Sequence, residues 1–513
     1  MLFNSVIFLL FFLFVYLLYW QLSGRARLYF LILASVFFYT WWGLEAEGWW
    51  GLRWVIHFIT IVALNYWIVN RMRAAADTQM RKRWLYVALA LNIANLGLFK
   101  YYGFIRTVFL DLGMPAPPPV ALFSFLPLAI SFYTFQLLAY TIDVYRGVIT
   151  SEHSFRNYFL FILFFPQLIA GPIMRSSDFM EQIERPQFTR DRLYSGLWLI
   201  MGGLVKKVLI ADPLGFILAP VYRSPEAYTG QAIFLAGVAF SIQVYCDFSG
   251  YTDIARGVAR LLGYDIPENF RAPYFARSAR ELWGLRWHIT LNTWLRDYLY
   301  IPLGGSRVAR WRAYFNLSVV FAIGGLWHGA DYSFVIWGIT WGLLLSLERY
   351  VEDDLGINTT PRSNPVLIGL KVAFMFVLFV LGALMFRAQA VHTAELDYSS
   401  GRIMLQMLSG LFANGHTALL SGLQNANPAD AILMAADVFG RDALYLADFP
   451  NVQTLAIMIL VTVIFHVIQY KPDLFAGLRK YDVPLLLTVG TLLMGVLLPG
   501  MAVAAHQFIY FVF

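Results

Sequence analysis

The sequence predicts an all-α, polytopic membrane protein, a bundle of about 11–13 membrane helices. Three observations carry this prediction. Of the 513 residues, 59% are hydrophobic and only 13% charged, a balance that cannot supply water-facing surfaces for soluble domains of that total length. A bilayer core about 30 Å thick is crossed by about 20 apolar residues in a helix, and runs approaching that length recur from one end of the chain to the other. The segments between the runs also segregate by charge, as loops on opposite sides of a membrane do.

The apolar runs cover residues 3–20, 28–42, 54–70, 84–101, 122–142, 158–170, 193–209, 232–245, 314–327, 334–347, 366–386, 455–468 and 485–498. Several are too short to span alone, which predicts tilted, broken or re-entrant helices. The first run has no basic residue ahead of it and is followed by Arg25 and Arg27. A signal peptide has the reverse charge order, so this run reads as a retained helix with its N-terminus outside. The loop with Arg71, Arg73, Arg81, Lys82 and Arg83 against Asp77 reads as cytoplasmic, as do Lys471, Arg479 and Lys480. The connection 391–451 carries Glu395, Asp397, Asp430, Asp437, Asp442 and Asp448 against Arg402 and Arg441, and reads as external, with the C-terminus on the same side. The loop holding Pro115, Pro117, Pro118 and Pro119 also falls outside. Glu352, Asp353 and Asp354 fit badly, because alternation puts them in the cytoplasm.

Pro166, Gly171, Pro172, Pro213 and Pro220 mark broken helices. Non-helical backbone at membrane depth persists where protein buries it or where it lines a cavity, so a cavity inside the bundle is expected. Cys246 is the only cysteine, which excludes an internal disulfide and a multi-cysteine metal site. The formal charge of +7 is accounted for by cytoplasmic loops rather than by contact with nucleic acid.

Residues 269–329 are the most unusual stretch. Arg271, Arg277, Arg280, Arg286, Arg296, Arg307, Arg310 and Arg312 face only Glu281 and Asp297 as acids, interleaved with Trp283, Trp287, Trp294, Tyr298 and Tyr300. One reading is an interfacial segment anchored at lipid headgroups. The other is a cytoplasmic funnel in which Arg277, Arg280 and Arg286 recruit a phosphate-bearing donor, since guanidinium pairs bidentately with phosphate. His288 lies inside this stretch, and His328 ends a strongly apolar run 40 residues later, so only the fold can bring them together. Ionisable groups inside a membrane are expensive, and imidazole titrates near neutrality, as a base that takes a proton from a hydroxyl must. His57, His466 and His506 read as packing residues, and His153, His392 and His416 as loop residues. Trp287, Asn292 and Trp327, which flank the two histidines, join the three arginines as candidate substrate contacts.

The blocks Arg280-Glu281-Leu282-Trp283, Trp287-His288-Ile289-Thr290-Leu291, residues 294–305 (WLRDYLYIPLGG) and Gly325-Leu326-Trp327-His328-Gly329 closely resemble the membrane-bound O-acyltransferase family. Supporting matches lie at residues 165–173, 203–207, 247–255 and 508–511. The resemblance covers nearly the whole chain and is greatest to the bacterial branch that acetylates alginate and transfers D-alanine to teichoic acid. It implies one membrane domain, 1–513, wrapped around a central tunnel in a bacterial inner membrane. It also implies that His328 is the family's catalytic histidine and that His288 is its upstream polar partner. Asn292 departs from the serine common among relatives without removing a catalytic group.

The resemblance implies acyl transfer, with His328 as general base and with His288 or a backbone N–H stabilising charge on the thioester carbonyl oxygen. An acyl-imidazole on His328 is the variant. Also implied are acetyl-CoA as a cytoplasmic donor, no tightly bound cofactor or metal, a polysaccharide acceptor, and a periplasmic acetyltransferase partner docking on 391–451. D-alanyl or other acyl transfer to a cell-envelope polymer is the rival within the class. A polysaccharide-precursor transporter is the rival outside it, disfavoured because the intramembrane polar groups are chiefly His288 and His328 and no broken-helix repeat is visible.

Overall fold

The computed structural model describes residues 1–223, 225, 228–357, 364–388, 391–392, 397–398, 400–412, 452–471 and 490. The predicted span 485–498 apart from residue 490, Arg479 and Lys480, the 508–511 motif, His416, His506 and most of the 391–451 connection lie outside the described residues. Among the described residues the regular structure is helical except for one antiparallel pair, Val391–His392 with Asp397–Tyr398.

Four stretches are long and apolar enough to cross a membrane: Gly24–Ala74, Gly230–Leu261, Tyr332–Asp354 and Pro365–Arg387, with Val6–Gln21 and Leu455–Tyr470 as shorter apolar helices. Most predicted runs coincide with a helix, but three differ in extent. The run 122–142 becomes continuously helical only at Ile130, because Pro127 and the left-handed Ala129 (φ 59°) hold the preceding segment out of the helix. The run 158–170 breaks after Leu163 into the short turn Phe165–Leu168 and then unwinds. That unwound backbone is buried among other elements, as its membrane depth demands. The run 232–245 instead continues to Leu261, because the polar residues that follow it are paired inside the protein. Lys206 meets Asp253 at 2.6 Å, and Lys207 meets Asp247 at 2.6 Å and Asp212 at 2.7 Å.

Small residues let the central helices touch backbone to backbone, the usual device where lipid removes any hydrophobic drive between helices. In the pair Arg190–Leu204 and Gly230–Leu261, Gly196 opposes Gly257 and Gly203 opposes Gly250. A Cβ added to Gly203 would sit 2.5 Å from the Gly250 carbonyl oxygen. Helix Arg310–His328 packs as tightly on Tyr332–Arg349, where a Cβ on Gly325 or Gly338 would collide with the opposing carbonyls of Phe334 and Phe321.

One face gathers the charges. Arg73 donates to the carbonyls of Thr150 and Ser151, and Arg146 donates to that of Asp297. The three acids that disturbed the charge pattern each meet an arginine: Glu352 with Arg280 (3.1 Å), Asp353 with Arg349 (3.0 Å), and Asp354 with Arg310. Neutralised in this way, they no longer argue against placing that loop with the basic face.

Candidate active site

His328 is the last residue of helix Arg310–His328, about 28 Å of helix away from the arginine that starts it. The open carbonyls at this C-terminus are satisfied by a neighbouring turn, Gly97–Tyr101. The Lys100 ammonium donates to the Trp327 carbonyl, to that of His328 at 3.4 Å and to Ser131 Oγ at 3.2 Å, while the Tyr101 hydroxyl donates to the Leu326 carbonyl at 2.9 Å. A cation at a helix C-terminus is also favoured by the helix dipole.

His288 reaches the same place from a strained turn. Its backbone is left-handed (φ 44°), an uncommon state for a residue with a Cβ and one that persists only when neighbours enforce it. The Asn292 amide enforces it by donating to the carbonyls of Trp287 (2.8 Å) and His288 (3.1 Å), and the Ile289 N–H donates to the Asn269 carbonyl (3.0 Å). The His288 ring is fully buried, with Nδ1 3.0 Å from Asn269 Oδ1. The ring centroids of His288 and His328 are 6.2 Å apart.

Aromatic rings wall the pair. Trp327, Trp337 and Phe386 stand edge-on to His328 at 5.1–5.5 Å, and Phe248 stands edge-on to His288 at 4.7 Å. Two cavities meet at His328. A cavity of about 460 Å³ is bounded by Met1, Glu45, Lys100, Ser131, Trp327 and His328. A slot of about 20 Å³, room for about one water, lies on the other side among Trp283, Trp287, Trp337, Trp341, Phe386 and His328. An imidazole shared by an open cavity and a narrow aromatic slot is placed to meet two reactants arriving from different directions.

Comparison with known proteins supplies the class of reaction. The family model described as MBOAT, membrane-bound O-acyltransferase family, matches residues 147–388, a span that contains both histidines. A probable alginate O-acetylase of Pseudomonas aeruginosa is 38% identical over 455 residues, covering 87% of this chain and 82% of that protein. The chain belongs to the membrane-bound O-acyltransferase family. Other relatives include a peptidoglycan O-acetyltransferase of Helicobacter pylori, 36% identical over 62% of this chain and 64% of that protein. A teichoic acid D-alanyltransferase of Bacillus subtilis is 28% identical over 53% of this chain and 71% of that protein. The protein is thus a multi-pass membrane enzyme that transfers an acyl group to oxygen.

In this O-acyltransferase the fold brings His288, His328, Trp287 and Trp327 together, with Trp327 lining the large cavity and Trp287 the slot. The three predicted arginines do not converge there. Arg277 and Arg286 share Glu281, at 3.0 and 2.7 Å, and Arg286 is buried with further bonds to the carbonyls of Arg271 and Ala272. Burial alone would raise the Glu281 carboxyl, but hydrogen bonds from Arg277 and Arg286 hold it below its ordinary range. Arg280, 56% exposed, points instead to Glu352. Asn292 spends its amide hydrogens on the turn at His288, so it shapes the site through the backbone. Arg296 pairs with Asp297 despite their adjacency, and Asp297 finds a second partner in Arg175 at 2.6 Å.

Sequence reasoning missed Lys100, Asn269 and Thr290. Lys100 had a signal, as the one charge inside the apolar run 84–101. Asn269 and Thr290 are ordinary polar residues in sequence, and only their convergence on His288 marks them.

Proposed function

We propose that this O-acyltransferase moves acetyl from cytoplasmic acetyl-CoA to hydroxyls of an extracytoplasmic polysaccharide, with alginate as the first candidate, and works with a periplasmic partner protein in a bacterial inner membrane. The single observation that carries the reading is that His328 forms a wall of both cavities. In this reading the large cavity, bounded by Met1 and Glu45, opens on the periplasmic side with the N-terminus, and the aromatic slot, which holds about one water as it stands, widens to admit the acetyl thioester from the basic, cytoplasmic face. The C-terminus and the 391–451 connection are assigned to the periplasmic side, where the partner docks. Segment 269–329 is then the catalytic and donor-recruiting part of one continuous membrane domain.

Atoms and protons balance in one exchange. The hydroxyl oxygen attacks the thioester carbonyl carbon while His328 takes the hydroxyl proton, the carbon–sulfur bond breaks, and the departing thiolate takes that proton from His328. The products are the acetyl ester and free CoA thiol. The nature of the relatives supports acetyl as the group and a polysaccharide as the acceptor. Acetyl analysis of surface polysaccharide from cells with the protein, without it, and with His328→Ala tests the proposal. Loss of polymer acetate in the last two is expected, and unchanged acetate in cells lacking the protein would refute it.

A further inference from the structure

A chain of hydrogen bonds ending at His288 has only one direction open to it. It begins at the Ile173 backbone N–H, a group that can only donate, 3.0 Å from Thr290 Oγ1. The Thr290 hydroxyl accepts there and sends its own hydrogen to Asn269 Oδ1, 2.9 Å away. The Thr290 backbone N–H also donates to that oxygen, at 3.3 Å, which identifies the atom as the amide oxygen rather than the nitrogen. An oxygen in that role must receive a hydrogen from His288 Nδ1 at 3.0 Å, so the ring carries its proton on Nδ1. In the neutral ring Nε2 is then left with a lone pair and, although buried, has no hydrogen-bond partner among the described residues. A buried polar atom without a partner calls for one during function.

We propose that Asn269 and Thr290 are positioning residues that lock the tautomer of His288, so that it enters the reaction as a hydrogen-bond acceptor rather than as a donor to the carbonyl oxygen. The inference rests on the proposed acyl transfer and deepens it. Stabilising the carbonyl oxygen falls to backbone N–H groups, and His288 Nε2 accepts from a second hydroxyl of the acceptor, because the one hydrogen of the attacking hydroxyl goes to His328. The left-handed turn contributes by setting the His288 ring between Asn269 and the His328 ring. The charged groups on elements packed around His288 have partners of their own. Lys100 is held on the Trp327 and His328 carbonyls, and Lys207 pairs with Asp247 on the helix that carries Phe248.

The test uses full-length protein in detergent, with acetyl-CoA and an alginate oligosaccharide, and measures kcat, KM, pH profile and melting separately. Asn269→Leu should lower kcat by about 10- to 100-fold at unchanged acetyl-CoA KM, the size of loss seen when a partner that orients a metal-binding histidine is removed. Asn269→Asp still accepts from Nδ1–H and should keep most of kcat, with the acidic limb of the profile moved to higher pH because a carboxylate favours the charged imidazole. Thr290→Ser should behave as wild type and Thr290→Val should lose activity.

A folded Asn269→Leu protein with wild-type kcat would overturn the proposal, as would Asn269→Asp being as inactive as the leucine variant. If Asn269→Leu does not fold, an unmoved acidic limb in Asn269→Asp together with equal Thr290→Ser and Thr290→Val activities overturns it. Full activity in His288→Ala would defeat participation of His288 altogether. An inactive His288→Ala beside an active Asn269→Leu would defeat the relay alone.

Discussion

Replacing His328 with alanine separates a catalytic imidazole from one that merely packs. The stability cost follows from its surroundings. The ring makes edge contacts with Trp327, Trp337 and Phe386, each worth about 0.5–1.5 kcal/mol when fully buried. It already borders a cavity of about 460 Å³, so its removal enlarges an existing space rather than opening a sealed void. The three contacts sum to about 1.5–4.5 kcal/mol, and relief from burying a polar ring offsets part of it, so a net loss of about 1–3 kcal/mol is expected. Loss of a general base slows the reaction about 10²- to 10⁴-fold, equivalent to about 3–5 kcal/mol of barrier. Activity should therefore collapse while the melting curve shifts by only a few degrees. His466 provides the contrast. It is 1% exposed, stacked on Tyr274 at 5.1 Å and bonded through Nδ1 to the Thr462 carbonyl at 2.9 Å, and it borders neither cavity. His466→Ala should cost about 2–4 kcal/mol of stability yet leave activity per folded molecule near wild type. The assay is acetate incorporation per mole of folded protein, paired with melting in detergent. Substantial turnover in well-folded His328→Ala would remove His328 from the role of base.

Lys100→Met should leave the Trp327 and His328 carbonyls without their cation, at a cost of about 1–3 kcal/mol, and lower kcat by displacing the end of the His328 helix; a kcat unchanged from wild type counts against that role. Arg280→Gln should raise the apparent acetyl-CoA requirement at low salt and lose that effect as ionic strength rises, whereas Arg286→Gln should chiefly lower the melting temperature, because it strips Glu281 and two backbone carbonyls of a donor. Gly338→Val should give no monodisperse protein on size exclusion, since its side chain would meet the Phe321 carbonyl and main chain cannot yield there. In a protein whose native Cys246 is fully buried, a cysteine at Lys82 should be labelled only from the cytoplasm and one at Leu2 only from outside; the reverse pattern would invert the proposed orientation.

The lipid solvent, the helical class and the two histidines as candidates were legible in the amino-acid order alone. Apolar runs of near-bilayer length are a local property, and so is the setting of the two histidines, His288 in a basic, aromatic-rich segment and His328 at the end of an apolar run. The motifs around them are long and contiguous, which made the resemblance to the O-acyltransferase family readable without a structure. Pairings across the fold were not legible. Nothing local announces that Glu352, Asp353 and Asp354 are matched by Arg280, Arg349 and Arg310, or that Glu281 occupies two of the arginines expected to recruit phosphate. The long helix Gly230–Leu261 looked too polar to continue past Tyr245 until Lys206 and Lys207, some 40 residues away in sequence, supplied its counter-charges. At the centre, the direction of the Ile173, Thr290, Asn269, His288 chain depends on distances between three separate segments. A side chain's identity fixes what it can donate or accept, but the partner it meets is set by how distant segments pack, and with it where a buried histidine keeps its proton.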